Sequence, residues 1–271
     1  MTSRNRLFAL IFLTASFVME AVAHDCFLIA KPYRARQGSP VKIEIHIDDA
    51  FPGKHVPWNP ERITRFHQWH GRTLLDSVVP EPLGDSSGVM RNVEQAGLHL
   101  FVVDWAARQI EIEPKAFTNY LQKEGLEQII KLRKERKEEN KPGRERYSRY
   151  LKTFVTQGEG NQDAYRHVIG QRIELIPLEN PASKKVGDTL RVRLLYEGKP
   201  VQGAKISATY SGAKHKPGAY AQSSRTNKDG VALFRLTHKG VWLVRTVYML
   251  PSESPDVDWE SFWASMTFEV R

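Results

Sequence analysis

The sequence contains a single cysteine and no apolar run long enough to form a permanent transmembrane helix. One cysteine excludes an intramolecular disulfide, so packed cores alone must stabilise the fold. The longest apolar run, residues 7–18, falls short of the roughly 20 residues that a spanning helix needs. A phosphate-binding glycine loop and a His-Glu-x-x-His zinc motif are also missing. We therefore expect no enzymatic activity.

The short apolar run has the flanks of a secretory signal. Arg4 and Arg6 precede it, and Ala21-Val22-Ala23 follows with the small-x-small pattern that signal peptidase accepts. The sequence thus predicts a cleaved signal peptide over residues 1–23. The mature chain would begin at His24 and act in the periplasm or outside the cell.

The formal net charge of +9 raises the question of an anionic partner. Much of the excess lies in residues 123–152, where Lys and Arg alternate with Glu at helical spacing. This pattern is typical of a solvated helix face, and it also allows peripheral contact with anionic lipid headgroups. No nucleic-acid-binding motif accompanies it, so we expect no nucleic-acid partner.

Apolar and polar residues alternate strictly in Val41–Ile47, which predicts a strand with one buried face. Further short strands are expected across residues 26–105 and again from Ile173, separated by Gly, Pro and Asp turns. The spacing in between is helical, in three segments: Pro114–Gly125, Leu126–Asn140 and Arg144–Val155.

The predicted fold is therefore mainly β, with two Greek-key β-sandwiches of the immunoglobulin-like or prealbumin-like kind and a helical hairpin between them. An N-terminal sandwich would span residues 24–172 and include the hairpin at about 114–156. A prealbumin-like sandwich would span residues 173–271.

Several segments together resemble an exported bacterial family of unassigned function that is usually labelled a nickel-uptake substrate-specific component, the periplasmic part of cobalt/nickel transport. The likeness covers nearly the whole mature chain. It is carried by His24-Asp25-Cys26-Phe27-Leu28, Phe51-Pro52-Gly53, Pro60-Glu61-Arg62-Ile63, Tyr120–Leu126 and Asp258–Phe268. The resemblance implies transition-metal uptake or handling beside a membrane transporter component.

The residues themselves offer a route to metal binding. Signal cleavage would free an α-amino group on His24, and this amine and the imidazole can chelate one ion. Such nitrogen ligands suit Ni, Co or Cu. If residues 26–30 pair antiparallel with residues 41–47, the His24 end approaches His46, Asp48 and Asp49. His99 is a further candidate ligand.

Two alternatives stay open. The protein could be a metal-free structural module that docks a membrane partner through its sandwich edges and basic hairpin. It could also be a copper oxidase that uses an N-terminal histidine brace, with Trp58, Trp69 and Trp105 around a substrate surface. The oxidase would need a second histidine beside His24.

Overall fold

The computed structural model describes residues 24–82, 87–214, 216 and 218–271. The predicted signal peptide, residues 1–23, lies outside the described residues. Within the described residues, no helix has the length and apolar character needed to cross a membrane.

Strands make up about half of the described chain, which also contains two α-helices. The helices are α1 (Pro114–Glu124) and α2 (Glu127–Glu135). The strands are β1 (Asp25–Lys31), β2 (Arg34–Ala35), β3 (Pro40–Asp48), β4 (His55–Val56), β5 (Ile63–His70), β6 (Thr73–Asp76), β7 (Val89–Asn92), β8 (Gly97–Ile112), β9 (Gly143–Gln157), β10 (Ile173–Pro177), β11 (Thr189–Tyr196), β12 (Lys199–Pro200), β13 (Lys205–Tyr210), β14 (Gln222–Arg225), β15 (Val231–Arg235), β16 (Gly240–Pro251) and β17 (Trp259–Val270).

One large sheet runs through the molecule in the order β14-β13-β16-β17-β9-β8-β5-β6, with β2 beside β9. Two smaller sheets flank it: β1-β3-β4 with β7 beside β3, and β10-β11-β12 with β15 beside β11. The expectation of a mainly β fold built from β-sandwiches is confirmed.

The central strand β8 shows why the large sheet is covered on both faces. Leu98, Leu100 and Val102 pack into the core shared with β10 and β11. Phe101 and Val103, which point the other way, pack into the core shared with β1 and β3. A strand that is apolar on both sides must be buried on both sides, because each face would otherwise expose its side chains to water.

The two halves of the chain meet within this sheet. Strand β17, from the C-terminal half, pairs in parallel with β9, from Trp259 opposite Glu145 to Thr267 opposite Thr153. The sheet is therefore continuous across the predicted domain boundary at residues 172/173.

The predicted third helix, Arg144–Val155, is wrong. These residues form β9, which pairs with β8 on one side and β17 on the other. The charged residues of this segment have helical spacing, which favoured a helix. Thr153, Val155 and the neighbouring aromatic residues, however, favour strands. Ladder pairing on both edges outweighs the weak local helix propensity.

The first two predicted helices are present as α1 and α2. Pro114 begins α1, and Gly125 ends it in the left-handed conformation with φ 71°. Their apolar faces, including Phe117 and Ile129, pack on Trp259 of β17. Helices and the β1-β3 sheet thus cover adjacent parts of one face of the large sheet.

Candidate functional site

The predicted pairing of β1 with β3 is confirmed, and it brings His24 to an acidic turn. The strands are antiparallel, with Asp25 opposite Asp48. His24 lies just beyond this pair, and its Nδ1 is 3.3 Å from Asp49 Oδ2. The His24 side chain is 46% exposed, so solvent reaches it. The other oxygen of Asp49, Oδ1, lies 3.5 Å from Lys123 Nζ. Each carboxylate oxygen therefore contacts a different side chain.

His46 and Asp48 lie nearby, and protein atoms already engage both. His46 was expected on the polar face of its strand but is buried, with Nδ1 2.8 Å from the Pro52 carbonyl and Nε2 3.0 Å from Glu44 Oε2. Both ring nitrogens of His46 are thus already in contact with protein oxygens. Asp48 Oδ1 accepts a hydrogen bond from the Ala50 amide at 3.0 Å.

His99 lies away from this cluster. Arg149 of β9 donates to the His24 carbonyl, whereas His99 pairs with Val155, six residues further along β9. At the usual strand rise this separation is about 20 Å. His99 is fully buried, and burial lowers the pKa of its imidazole to about 4, so it is neutral near pH 7. The structure does not bring His99 and His24 together.

A buried ion cluster lies directly behind His24. Arg245 of β16 contacts Asp25 and Glu124, and the Tyr220 hydroxyl donates to Asp25 Oδ2 at 2.7 Å. A small cavity of about 50 Å³ opens beside Asp25, Asp49 and Tyr220. Sequence reasoning missed this cluster because its members come from four separate segments of the chain, with no local motif to join them.

Within the part of the chain that the structure describes, no three His, Cys, Asp or Glu side chains are grouped so that they could hold a metal ion. His24 and Asp49 supply two side-chain donors. A third donor at this position would be the α-amine of His24, which exists only if the chain begins there.

Two features suggest nucleophilic chemistry at first sight, and neither supports it. Cys26 is buried, and burial raises the pKa of its thiol to about 11, so the thiol stays protonated near neutral pH. Residues 84–88 read Gly-Asp-Ser-Ser-Gly, which has the letters of a Gly-x-Ser-x-Gly nucleophile elbow. That motif requires a helix directly after it, but the next element is strand β7.

A much larger cavity lies elsewhere. A cleft of about 840 Å³ separates α2 from the end of β16, with Ile129 and Leu132 on one wall and Tyr248 and Leu250 on the other. Beyond Thr246, β16 pairs only with β17 among the described strands, so its other edge faces the cleft.

Comparison with known protein families decides where the chain belongs. The sequence model of a family described as "Domain of unknown function (DUF4198)" matches residues 21–250. The chain belongs to the DUF4198 family. The DUF4198 description names no nickel uptake and no other activity.

Searches beyond DUF4198 add little. No curated protein is significantly similar to the chain. Among solved structures, the D0-D1 domain of intimin has 11% identity over 90% of this chain and 97% of its own, with a TM-score of 0.22. Salmonella alpha-2-macroglobulin reacted with methylamine has 9% identity over 90% of this chain and 15% of its own, with a TM-score of 0.23. Similarities this weak carry no argument about function.

Proposed function

We propose that the protein is an exported accessory protein that binds a transition-metal ion, Ni, Co or Cu, at its mature N-terminus and hands it to a membrane transporter. The observation that carries the proposal is the 3.3 Å approach of His24 Nδ1 to Asp49 Oδ2. A carboxylate thus lies beside the exposed imidazole that begins the predicted mature chain. The nickel-uptake resemblance gives the substrate class.

The chemistry needs signal cleavage after Ala23. A free α-amine on His24 and its imidazole Nδ1 would chelate one ion, and Asp49 Oδ2 would add an oxygen ligand. Two nitrogens and one oxygen suit Cu, Ni or Co better than Ca or Mg, which prefer oxygen alone. Three protein donors also leave coordination positions for water or for a ligand of the receiving transporter.

Lys123 opposes the metal electrostatically. Its ammonium lies 3.5 Å from Asp49 Oδ1 and would repel a cation bound at Oδ2. Lys123→Met removes this charge and should tighten metal binding, whereas Lys131→Met on the exposed face of α2 should leave it unchanged. The pair of variants separates a local charge effect from the overall charge of the protein.

The deciding experiment is calorimetric titration of the exported protein with Cu(II), Ni(II) and Co(II). Mass spectrometry first establishes that its chain begins at His24. We expect His24→Ala to weaken binding by about a hundredfold and Asp49→Asn by about tenfold, near 2.7 and 1.4 kcal/mol. His238→Ala and Asp229→Asn, at exposed positions on other elements, are the matched controls.

If all these variants bind metal as tightly as the wild type does, the metal proposal is wrong. Weak, unchanged binding throughout would favour the metal-free docking module, for which the cleft between α2 and β16 is the best surface. A copper oxidase needs a second imidazole on the metal. Both ring nitrogens of His46 already contact protein atoms and His99 is remote from His24, so neither predicted ligand supports this alternative.

A further inference from the structure

A bulge in β8 creates a second polar cluster. On β9, Arg149 pairs with Trp105 and Tyr147 pairs with Arg108, so the register shifts by one residue between these pairs. Tyr147 and Arg149 are two residues apart and share a face. The extra residue in β8 therefore brings Trp105 and Arg108, three residues apart, to that same face.

Arg62 completes the cluster from a neighbouring element. It ends the short 3₁₀ turn Pro60–Arg62, directly before β5, and its guanidinium carbon lies 4.1 Å from the centre of the Trp105 ring. Arg149 lies 5.7 Å from the same ring and 5.1 Å from the Tyr147 ring. Stacking of this kind holds guanidinium planes in fixed orientations.

No described carboxylate forms a direct ion pair with Arg62, Arg108 or Arg149 of the cluster, although ion pairs are common elsewhere in the structure. Arg149 nevertheless lies close enough to Glu145 to act on it electrostatically. Glu145 shares the face of Tyr147 and Arg149, but Ser261 and Tyr120 hydrogen-bond to it.

Arg149 carries a second sign of an unfilled site. Its side chain is more than nine-tenths buried, and one Nη donates to the His24 carbonyl at 3.2 Å. The guanidinium also interacts with the buried Cys26 thiol, whereas its Nε is buried and has no hydrogen-bond partner among the described residues. A buried donor of this kind is costly unless something accepts its hydrogen.

We propose that Arg62, Arg108 and Arg149 form a binding site for a small oxyanion, a phosphate or carboxylate group. Planar guanidiniums bind both groups through paired, charge-assisted hydrogen bonds. Trp105 and Tyr147 hold two of the three guanidiniums in place before the anion arrives. The site uses no side chain of the metal site, so either proposal can fail without the other.

The test is calorimetric titration of the whole exported protein with inorganic phosphate and with citrate. Arg62→Gln and Arg108→Gln are the variants, because Arg149 also supports the backbone at His24 and its loss could unfold the protein. Each should weaken binding by about tenfold or more, as expected for the loss of a charged hydrogen-bond donor. Arg62→Lys keeps the positive charge but loses the planar, paired donors of the guanidinium. Its affinity for the anion should lie between those of the wild type and Arg62→Gln. Arg36→Gln, at an exposed arginine on the β2 segment, is the matched control.

Vesicles with and without phosphatidylglycerol distinguish a lipid headgroup from a free anion. Binding that depends on Arg62 and Arg108 supports the oxyanion site with either kind of probe. Binding of the soluble anions indicates a free anion as the ligand, and binding only of vesicles with phosphatidylglycerol indicates a lipid headgroup. Two results overturn the proposal: no binding of any probe at millimolar concentration, or binding that Arg36→Gln weakens as much as Arg62→Gln does. Thermal unfolding of each variant checks that the fold is intact.

Discussion

Arg245 Nε lies 2.7 Å from Asp25 Oδ1 in the protein interior, where both side chains are less than a tenth exposed. The pair joins β1, the first strand of the described residues, to β16, the last strand but one. Glu124 of α1 makes a second contact with the same guanidinium, and Tyr220 donates to Asp25. Strand β1, helix α1 and the segment that carries Tyr220 are thus all connected to Arg245 of the large sheet, beside His24.

Asp25→Asn should destabilise the protein by about 3 kcal/mol. The substitution keeps the size of the side chain but leaves part of the charge on buried Arg245 without a partner. Glu124 still contacts Arg245, which keeps the loss at the lower end for a broken buried pair. The measurement is the free energy of unfolding by denaturant. Asp258→Asn is the control, because Asp258 and Arg144 form an exposed pair that should contribute about 1 kcal/mol or less. Equal losses would contradict the prediction.

A second buried pair lies on the opposite face of the large sheet. Lys152 Nζ is 2.6 Å from Glu174 Oε1, both side chains are 2% exposed, and burial lowers the pKa of the lysine. Lys152→Met should cost about 3 kcal/mol because it leaves the Glu174 carboxylate uncompensated. Lys152→Met combined with Glu174→Gln should recover part of this loss, since the buried charge is gone and the single amide oxygen can still accept from one of the two amides, Ile169 or Gly170, that bond to Glu174. A double variant less stable than the single one would refute this account.

Glu145 should make stability depend on pH. Its side chain is 1% exposed, and burial raises the pKa of its carboxyl to about 7 from a usual 4.5. The folded state therefore holds a proton that the unfolded state releases, and stability falls as pH rises from about 4.5 to about 7. At 1.36 kcal/mol per pKa unit the loss is about 3 kcal/mol.

Glu145→Gln isolates this effect, because glutamine keeps an oxygen for Ser261 and Tyr120 but does not titrate. The free energy of unfolding is measured for both proteins at several pH values between 4 and 8. The wild type should lose about 3 kcal/mol relative to the variant across this window. Parallel curves for the two proteins would show that the carboxyl does not titrate there.

The sequence predicted most strands because a strand buried on one face alternates with a period of two, as Val41–Ile47 does. The approach of His24 to the acidic turn depended on the assumption that β1 pairs antiparallel with β3, and the structure has this pairing. The candidate ligand His99 is buried, because β8 is covered on both faces and has no polar side. The sequence prediction failed for Arg144–Val155, where pairing with two distant strands decides the structure.

The charged cluster behind His24 could not be found in this way. Arg245 lies 220 residues from Asp25 and Tyr220 lies 195 residues from it, and none of them belongs to a local motif. The arginine cluster depends on a bulge in β8, whose position is set by pairing with β9. Such sites are products of tertiary register, which a single sequence does not display.

Gly125, at the end of α1, should tolerate a side chain poorly. Its φ is 71°, and an added Cβ would lie 2.8 Å from Lys205 Cδ. Gly125→Ala should therefore pay both the left-handed backbone cost of about 1 kcal/mol and the displacement of Lys205, whose Nζ donates to the Lys123 carbonyl. Gly170→Ala is the control, because Gly170 has φ 79° but open space around its Cβ position. Denaturant unfolding should show a larger loss of stability for Gly125→Ala than for Gly170→Ala.

Because Lys123 also contacts Asp49, Gly125→Ala should in addition change metal affinity at His24, whereas Gly170→Ala should not.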